Sequence, residues 1–109
     1  FVTVKEAAGR VEDTDQTFIY RSIRDKGVRS EPARKIVEHV RKKYRTLPFA
    51  SRWLYSSLGR AVVEDGFSET VSAKCISGYP VLVEASGKIV TQAEHTVIVK
   101  ENGCEVLTI

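Results

Sequence analysis

Apolar and polar positions alternate near both ends of the chain, which is the pattern of half-buried β-strands. Residues that favour strands dominate two early stretches, 1–7 and 17–24, and the polar run 12–15 predicts a connection between them. After Pro80 strand character returns over residues 81–85, 89–100 and 105–109. Turn residues separate these runs at Ser86-Gly87 and Asn102-Gly103. We therefore expect an antiparallel pair at the start and three strands at the end.

The middle of the chain has helical periodicity instead. Ser30 can cap the free amides of a helix, and Pro32 suits its first turn, so a helix is predicted from there to about Arg45. Its apolar residues recur at i, i+3, i+4, i+7 and i+11 and form one stripe: Ala33, Ile36, Val37, Val40 and Tyr44. This helix should dock on a core by that stripe.

Two further helices are predicted after it. Pro48 can open a short one in which Trp53 contributes to packing until Gly59 interrupts it. A third helical stretch lies between residues 59 and 76, where Gly66 is expected to break it. Two strands, about three helices and three strands give an α+β class in which a helical middle interrupts a sheet.

Length and composition allow one compact domain. The chain has 109 residues, 42% of them hydrophobic, and contains neither a signal-peptide pattern nor an apolar run long enough to span a membrane. Cys75 and Cys104 lie far apart without metal-ligand spacing, which favours free thiols in a cytoplasmic setting and leaves one disulfide open. Because residues 1–4 are already strand-like and no methionine is present, we expect a part of a longer polypeptide.

Positive charge is concentrated in the middle third. Residues 21–53 hold eleven Lys and Arg against three acidic residues, a local charge of +8 in a chain whose net charge is +3. A basic helical region followed by a β-hairpin is also the order found in winged-helix nucleic-acid binders. The alternative is an ordinary solvated helix face, and the sequence leaves both open.

The candidate chemistry centres on Glu94, in the segment Gln-Ala-Glu-His-Thr that starts at Gln92 and runs into Val97. If this segment is a buried strand, the carboxylate needs a hydrogen bond, an ion pair or a metal. Glu94 could therefore be a metal ligand, a general base or a strand residue with a solvated side chain. His95 would point to the opposite face of the strand, so the two side chains could not chelate one ion together.

Three stretches in their order resemble the carboxy-terminal part of type II methionine aminopeptidases, most closely the archaeal form. They are residues 45–54 (RTLPFASRWL), 78–82 (GYPVL) and 92–99 (QAEHTVIV), and the likeness covers nearly the whole chain. The resemblance implies part of a pita-bread aminopeptidase sheet interrupted by a winged-helix-like helical insertion. It divides the chain into strands of the catalytic fold at 1–28, the insertion at 29–78, and carboxy-terminal strands at 79–109.

The resemblance also implies a dinuclear metal site. Glu94 would bridge two divalent cations, which could be cobalt, manganese, iron or zinc. Tyr79 would line the pocket for the substrate methionine, with Pro48 nearby. The other four ligands of such a site, two Asp, a His and a Glu, lie upstream of the matching region, so the chain supplies one ligand of five and should be inactive alone.

Completed by the upstream part of the same protein, such a chain would remove the initiator methionine from the amino-terminus of nascent proteins. The resemblance implies a cytoplasmic enzyme with no membrane partner. A ribosome contact through the basic helix is left open. Two alternatives remain beside this interpretation: a non-catalytic binding relative of the same fold, and a winged-helix-like nucleic-acid-binding module.

Overall fold

Helices occupy the middle of the chain and strands its two ends. A computed structural model describes residues 1–108, and no helix within that range is long and apolar enough to cross a membrane. The mixture of helix and strand confirms the α+β class. In chain order the elements are β1 (Val2–Thr3), β2 (Val11–Ser22), α1 (Glu31–Lys43), β3 (Phe49–Ala50), α2 (Ser51–Leu58), α3 (Arg60–Ser72), β4 (Ile76–Glu84), β5 (Val90–Thr91), β6 (Val97–Lys100) and β7 (Gly103–Val106).

The chain divides into two compact units. The helical unit comprises residues 13–81, and the strand unit comprises Phe1–Glu12 with Leu82–Ile109. Both limits fall inside a long strand, since β2 and β4 each cross from one unit into the other. The segment boundaries predicted at residues 28 and 78 stay a prediction.

The helical unit contains the apolar core. Its sheet has the order β3-β2-β4, with Ile19 of β2 opposite Ala50 of β3 in antiparallel register. The ring of Tyr44, just after α1, stacks on Phe49 with centroids 5.1 Å apart. Trp53, by contrast, is 44% exposed and contributes less to packing than predicted. The core cluster comprises Ile36, Val40, Phe49, Leu54, Val63 and Ile76.

Helix α1 forms as its sequence predicts. The Ser30 side chain accepts a hydrogen bond from the Ala33 amide at 3.3 Å and caps the helix. Four residues of the apolar stripe are buried and Tyr44 is half-buried, which leaves the basic residues outside. After the helix Arg45 has a φ of 57°, the left-handed conformation that glycine normally supplies at a helix end.

Gly66 does not break the third helix, so that prediction is wrong. It lies buried inside α3 where this helix meets α1. A Cβ at Gly66 would lie 2.5 Å from the Ala33 nitrogen, so only glycine permits the two backbones to come this close. From one turn further along α3, the Glu69 carboxylate accepts a hydrogen bond from the Ser30 amide at 3.3 Å and a closer one from the Arg29 amide.

The strand pairing predicted at the start of the chain is also wrong. The polar run 12–15 is part of β2, which pairs with β3 and β4, whereas β1 pairs with β5. The Thr14 hydroxyl donates to the Val81 carbonyl at 2.8 Å, so hydrogen bonding holds this polar stretch to β4. Strand β4 begins at Ile76, before the predicted start, and the missing Cβ of Gly78 leaves room for the Thr17 side chain.

The second helix starts later than predicted. Pro48 precedes the short strand β3, and α2 begins at Ser51. Gly59, with a φ of 82°, then separates α2 from α3 as expected of a glycine at a helix end.

The strand unit lacks an apolar core among its described residues, of which Glu84 alone is buried. Residues 92–96 separate β5 from β6, so the single strand predicted over 89–100 is wrong. The hairpin after Lys100 is confirmed, and Lys100 lies opposite Gly103. Large apolar side chains of this unit face solvent: Phe1, Val2, Val4, Leu82, Val83, Ile89, Val90, Val97, Ile98, Val99, Val106 and Leu107.

Candidate functional site

Glu94 lies in an exposed segment of the strand unit rather than in a buried strand. Residues 92–96 have no regular secondary structure, and the side-chain amide of Gln92 donates a hydrogen bond to the Glu94 carboxylate. Of the possibilities that the sequence left open, a solvated side chain is the one found in this chain by itself, although the segment is not a strand. An exposed carboxylate is free to accept a ligand, and its role as a metal ligand stays a prediction.

His95 forms a hydrogen bond with Thr108. Its Nδ1 contacts the Thr108 carbonyl, and a carbonyl can only accept, so this nitrogen carries the proton of the contact. The Thr96 amide donates to the Thr108 hydroxyl at 2.9 Å, and the Leu107 amide donates to the Thr96 carbonyl at 2.9 Å. These bonds use His95 Nδ1 for structure rather than for metal binding.

The described residues do not form a metal site alone. No group of three or more His, Cys, Asp or Glu within residues 1–108 is arranged to hold a metal ion. The two cysteines are free thiols as predicted, with Cys75 buried and Cys104 exposed. His39 is part-buried beside Tyr44, and burial is the main cause that lowers its pKa. Residues 1–108 do not complete a dinuclear site by themselves, and Glu94 fits such a site as one carboxylate ligand.

The two predicted substrate-binding residues both lie in the helical unit. Tyr79 is in β4 and is 43% exposed, with the Arg21 guanidinium 5.9 Å from its ring centroid. Pro48 is exposed directly before β3. In the sheet, β2 lies between β4, which carries Tyr79, and β3, which follows Pro48.

Glu84 is another carboxylate of the strand unit, and sequence reasoning missed it. It is 2% exposed and accepts hydrogen bonds from the Ser86 hydroxyl at 2.5 Å, the Ser86 amide at 2.8 Å, the Gly9 amide at 3.1 Å and the Lys88 amide at 3.2 Å. The Ser86 hydroxyl is the main cause that lowers the pKa of Glu84, to about 2. With all these donors already bound, Glu84 organises a turn and is not a free ligand. The signal in the sequence for this role was the Ser86-Gly87 turn two residues later, because turn residues supply the donors to Glu84.

A basic groove lies on the side of α1 that faces the segment 22–28. We use this name for two adjoining cavities, of about 610 Å³ and about 460 Å³, between α1 and the segment 22–28. They share Asp25, Arg41 and Arg45, and an ion pair joins Asp25 to Arg41. The sequence predicted the basic window but not that this segment faces the helix. The charged groups of the larger cavity are Arg34, Arg41, Lys42, Arg45, Asp25 and Glu38.

The fold is shared with a known structure. The structure of a thermophilic Arx1 superposes with a TM-score of 0.71 over 90% of this chain and 26% of that chain, at 22% identity. At this identity the likeness shows the fold alone. No protein-family model matches the chain.

The chain is similar in sequence to curated methionine aminopeptidases. The methionine aminopeptidase of Methanothermobacter thermautotrophicus is 39% identical over 94% of this chain, and that of Thermococcus kodakarensis is 39% identical over 93%. Methionine aminopeptidase 2 of Verticillium alfalfae is 31% identical over 92%. The chain is thus homologous to archaeal methionine aminopeptidases, which confirms the resemblance carried by its three motifs. It spans about a third of the length of these archaeal relatives, 34% in both, as a carboxy-terminal portion would.

Proposed function

We propose that the chain is the carboxy-terminal segment of a dinuclear metalloaminopeptidase that removes the initiator methionine from nascent proteins. The observation that carries this proposal is the 39% identity to archaeal methionine aminopeptidases over 94% of the chain. In this proposal the sheet is part of a pita-bread fold, and residues 29–78 form a winged-helix-like insertion in it. The alternative is that the chain belongs to a non-catalytic relative of the same fold, and the experiment below tests it.

Glu94 would supply one carboxylate ligand to a pair of divalent cations. Such a pair supplies an activated water and polarises the scissile carbonyl when it is bound. The Gln92 amide would orient the Glu94 carboxylate through the hydrogen bond already present. Tyr79 would line the pocket for the methionine side chain, with Pro48 nearby.

The remaining metal ligands would come from protein sequence outside this chain. Exposed apolar residues of the strand unit, such as Ile98 at 48% and Val99 at 83% exposure, support a covering partner. We propose the upstream part of the same protein as that partner. The chain alone should then hydrolyse no peptide, whichever divalent metal is added.

The test uses the full-length protein and a short peptide that begins Met-Ala. Glu94→Gln should lower kcat/KM by about 100-fold or more and lower the bound metal per protein, because a neutral amide is a poor ligand for a hard cation. Glu101→Gln, which neutralises another exposed carboxylate of the strand unit, is the matched control and should retain activity. Tyr79→Ala should mainly raise KM.

Two results would contradict the proposal. Hydrolysis by the 109-residue chain alone would show that the other ligands are not required. An unchanged kcat/KM in Glu94→Gln, with full metal content, would remove Glu94 from the site. If the full-length protein hydrolyses nothing with cobalt, manganese, iron or zinc, the non-catalytic alternative is favoured.

A further inference from the structure

The guanidinium of Arg21 lies over the ring of Tyr79 and has no charged partner within residues 1–108. Its Cζ is 5.9 Å from the ring centroid, within the range of a cation–π contact, and no ion pair of that part of the chain includes it. Arg24, three residues further along, instead donates from Nε to the Ala73 carbonyl at 3.0 Å, at the end of α3. The fold thus uses Arg24, whereas Arg21 contacts a residue that is proposed to bind substrate.

The backbone on both sides of Tyr79 is restricted. Before it, Gly78 packs against β2, where a Cβ would overlap the Thr17 side chain and lie 3.1 Å from Cε1 of Tyr20. After it, Pro80 disfavours a helical conformation of the preceding residue and keeps Tyr79 extended. The freedom that remains to Tyr79, which is 43% exposed, is rotation of its side chain.

Arg21 is placed to limit that rotation. It lies on β2 and Tyr79 lies on β4, and the sheet holds these two strands side by side. No other aromatic ring lies against Tyr79 among residues 1–108, in contrast to Tyr44, which stacks on Phe49. Electrostatic attraction between the cation and the ring face favours the rotamers that keep the ring beneath the guanidinium. A ring already in place loses less freedom when a ligand side chain packs on it.

We infer that Arg21 is a positioning residue for the methionine side chain of the substrate, because its guanidinium holds the Tyr79 ring in the orientation that receives this side chain. The inference rests on the proposed function, since it requires Tyr79 in the substrate pocket. Arg21 covers one face of the ring and leaves the edge and the other face to the ligand, and a thioether packs favourably at a ring edge. Arg21 itself does not touch the substrate in this arrangement, so its loss weakens binding and leaves the chemical step unchanged.

The test is a double-mutant cycle in the full-length protein with a peptide that begins Met-Ala. Arg21→Met removes the charge but keeps an unbranched stem, and it should raise KM by about 2- to 5-fold with kcat within about 1.5-fold. In the Tyr79→Leu background the same change should alter KM by less than about 1.5-fold, because the ring through which it acts is gone. Arg21→Lys keeps the charge and should restore most of the affinity. Arg34→Met, which removes an exposed cation of α1, is the matched control and should leave KM unchanged.

A second readout does not depend on hydrolysis. In full-length protein labelled with fluorotyrosine, the fluorine resonance of Tyr79 is assigned by its loss in Tyr79→Leu. This resonance should shift in Arg21→Met and stay in place in Arg34→Met. Added methionine should move the same resonance, and its Kd should rise by about 2- to 5-fold in Arg21→Met.

The outcomes separate this inference from the proposed function. Equal effects of Arg21→Met with and without the Tyr79 ring, or an unchanged Tyr79 resonance in Arg21→Met, would overturn the inference and leave the proposed function intact. If methionine does not move the Tyr79 resonance although Glu94→Gln abolishes hydrolysis, the inference fails together with the role of Tyr79, and the metal site stands. Methionine binding that weakens in Arg21→Met, in a protein that hydrolyses no peptide, would support the role of Arg21 and contradict the proposed activity.

Discussion

Whether a carboxylate of this molecule can accept a further ligand depends on the hydrogen-bond donors around it. Glu84 has four hydrogen bonds to nearby donors, whereas Glu94 has one side-chain amide donor. A carboxylate surrounded by fixed donors is held for structure, and one with free lone pairs can accept a further ligand. The sequence does not distinguish the two, because the donors to Glu84 include a backbone amide 75 residues away, that of Gly9.

Acidification should loosen the turn that Glu84 organises. Its pKa in the folded state is about 2, against an ordinary value of 4.5, so folding stabilises the ionised carboxylate. The stabilisation is complete above about pH 4.5 and is lost as the pH falls from there towards 2. The protection of the Gly9, Ser86 and Lys88 amides against exchange, measured by NMR and corrected for the intrinsic pH dependence of exchange, should fall over this window.

Glu84→Gln provides the control for that experiment. Its side-chain amide does not titrate, so the three backbone amides should be weakly protected already at pH 7. Their protection should then not fall further between pH 4.5 and 2. If the exchange in the unmodified chain keeps a constant protection down to pH 2, the Glu84 carboxylate does not hold the turn.

Among the elements, α1 and α3 show what a sequence pattern can and cannot predict. Ser30 and the apolar stripe act within about one helix, so they predicted α1 correctly. Gly66 was misinterpreted because the contact that requires a glycine there is with another helix, at Ala33, 33 residues earlier. The polar start of β2 was missed likewise, since Thr14 is held by a hydrogen bond to the distant Val81. The sequence thus predicted what local signals determine, but not the contacts between elements.

Gly66→Ala should destabilise the helical unit by about 1–3 kcal/mol. Alanine favours a helix by about 1 kcal/mol, but its Cβ would lie 2.5 Å from the Ala33 nitrogen and 2.6 Å from the Pro32 carbonyl carbon. Backbone atoms cannot rotate away as a side chain does, so the helices must separate. Urea unfolding measures the change. Ser68→Ala, at an exposed position of the same helix, should shift stability by less than about 0.5 kcal/mol, and a stabilised Gly66→Ala would refute the close approach.

At the scale of the whole molecule, the two units differ in what stabilises them. The helical unit buries a continuous apolar cluster, whereas the strand unit leaves its large apolar side chains exposed. Burial of apolar surface is the main favourable term in folding, so the helical unit should hold together better when the chain is isolated. The motifs predicted the family from sequence, yet the exposed state of the strand unit could not be predicted, because strand-like sequence implied burial.

The two thiols report on this difference. Cys75 is 0% exposed, its Sγ donates to the Lys26 carbonyl at 3.4 Å, and burial raises its pKa, whereas Cys104 is exposed in the strand unit. In the isolated chain a thiol reagent should modify Cys104 at once and Cys75 about 1,000-fold more slowly, as for an opening that costs about 4 kcal/mol. The variant Cys104→Ser isolates the slow phase. Equal rates would show that the helical unit does not protect its core.

The close approach at Gly66 also bears on the charge along α1. Helices that meet backbone to backbone have no intervening side chain whose rotation could let one slide past the other. The exposed side of α1 therefore starts from a rigid support. A glycine on the inner side of the helical unit thus fixes where the charged side chains on its outer side begin, without touching any of them.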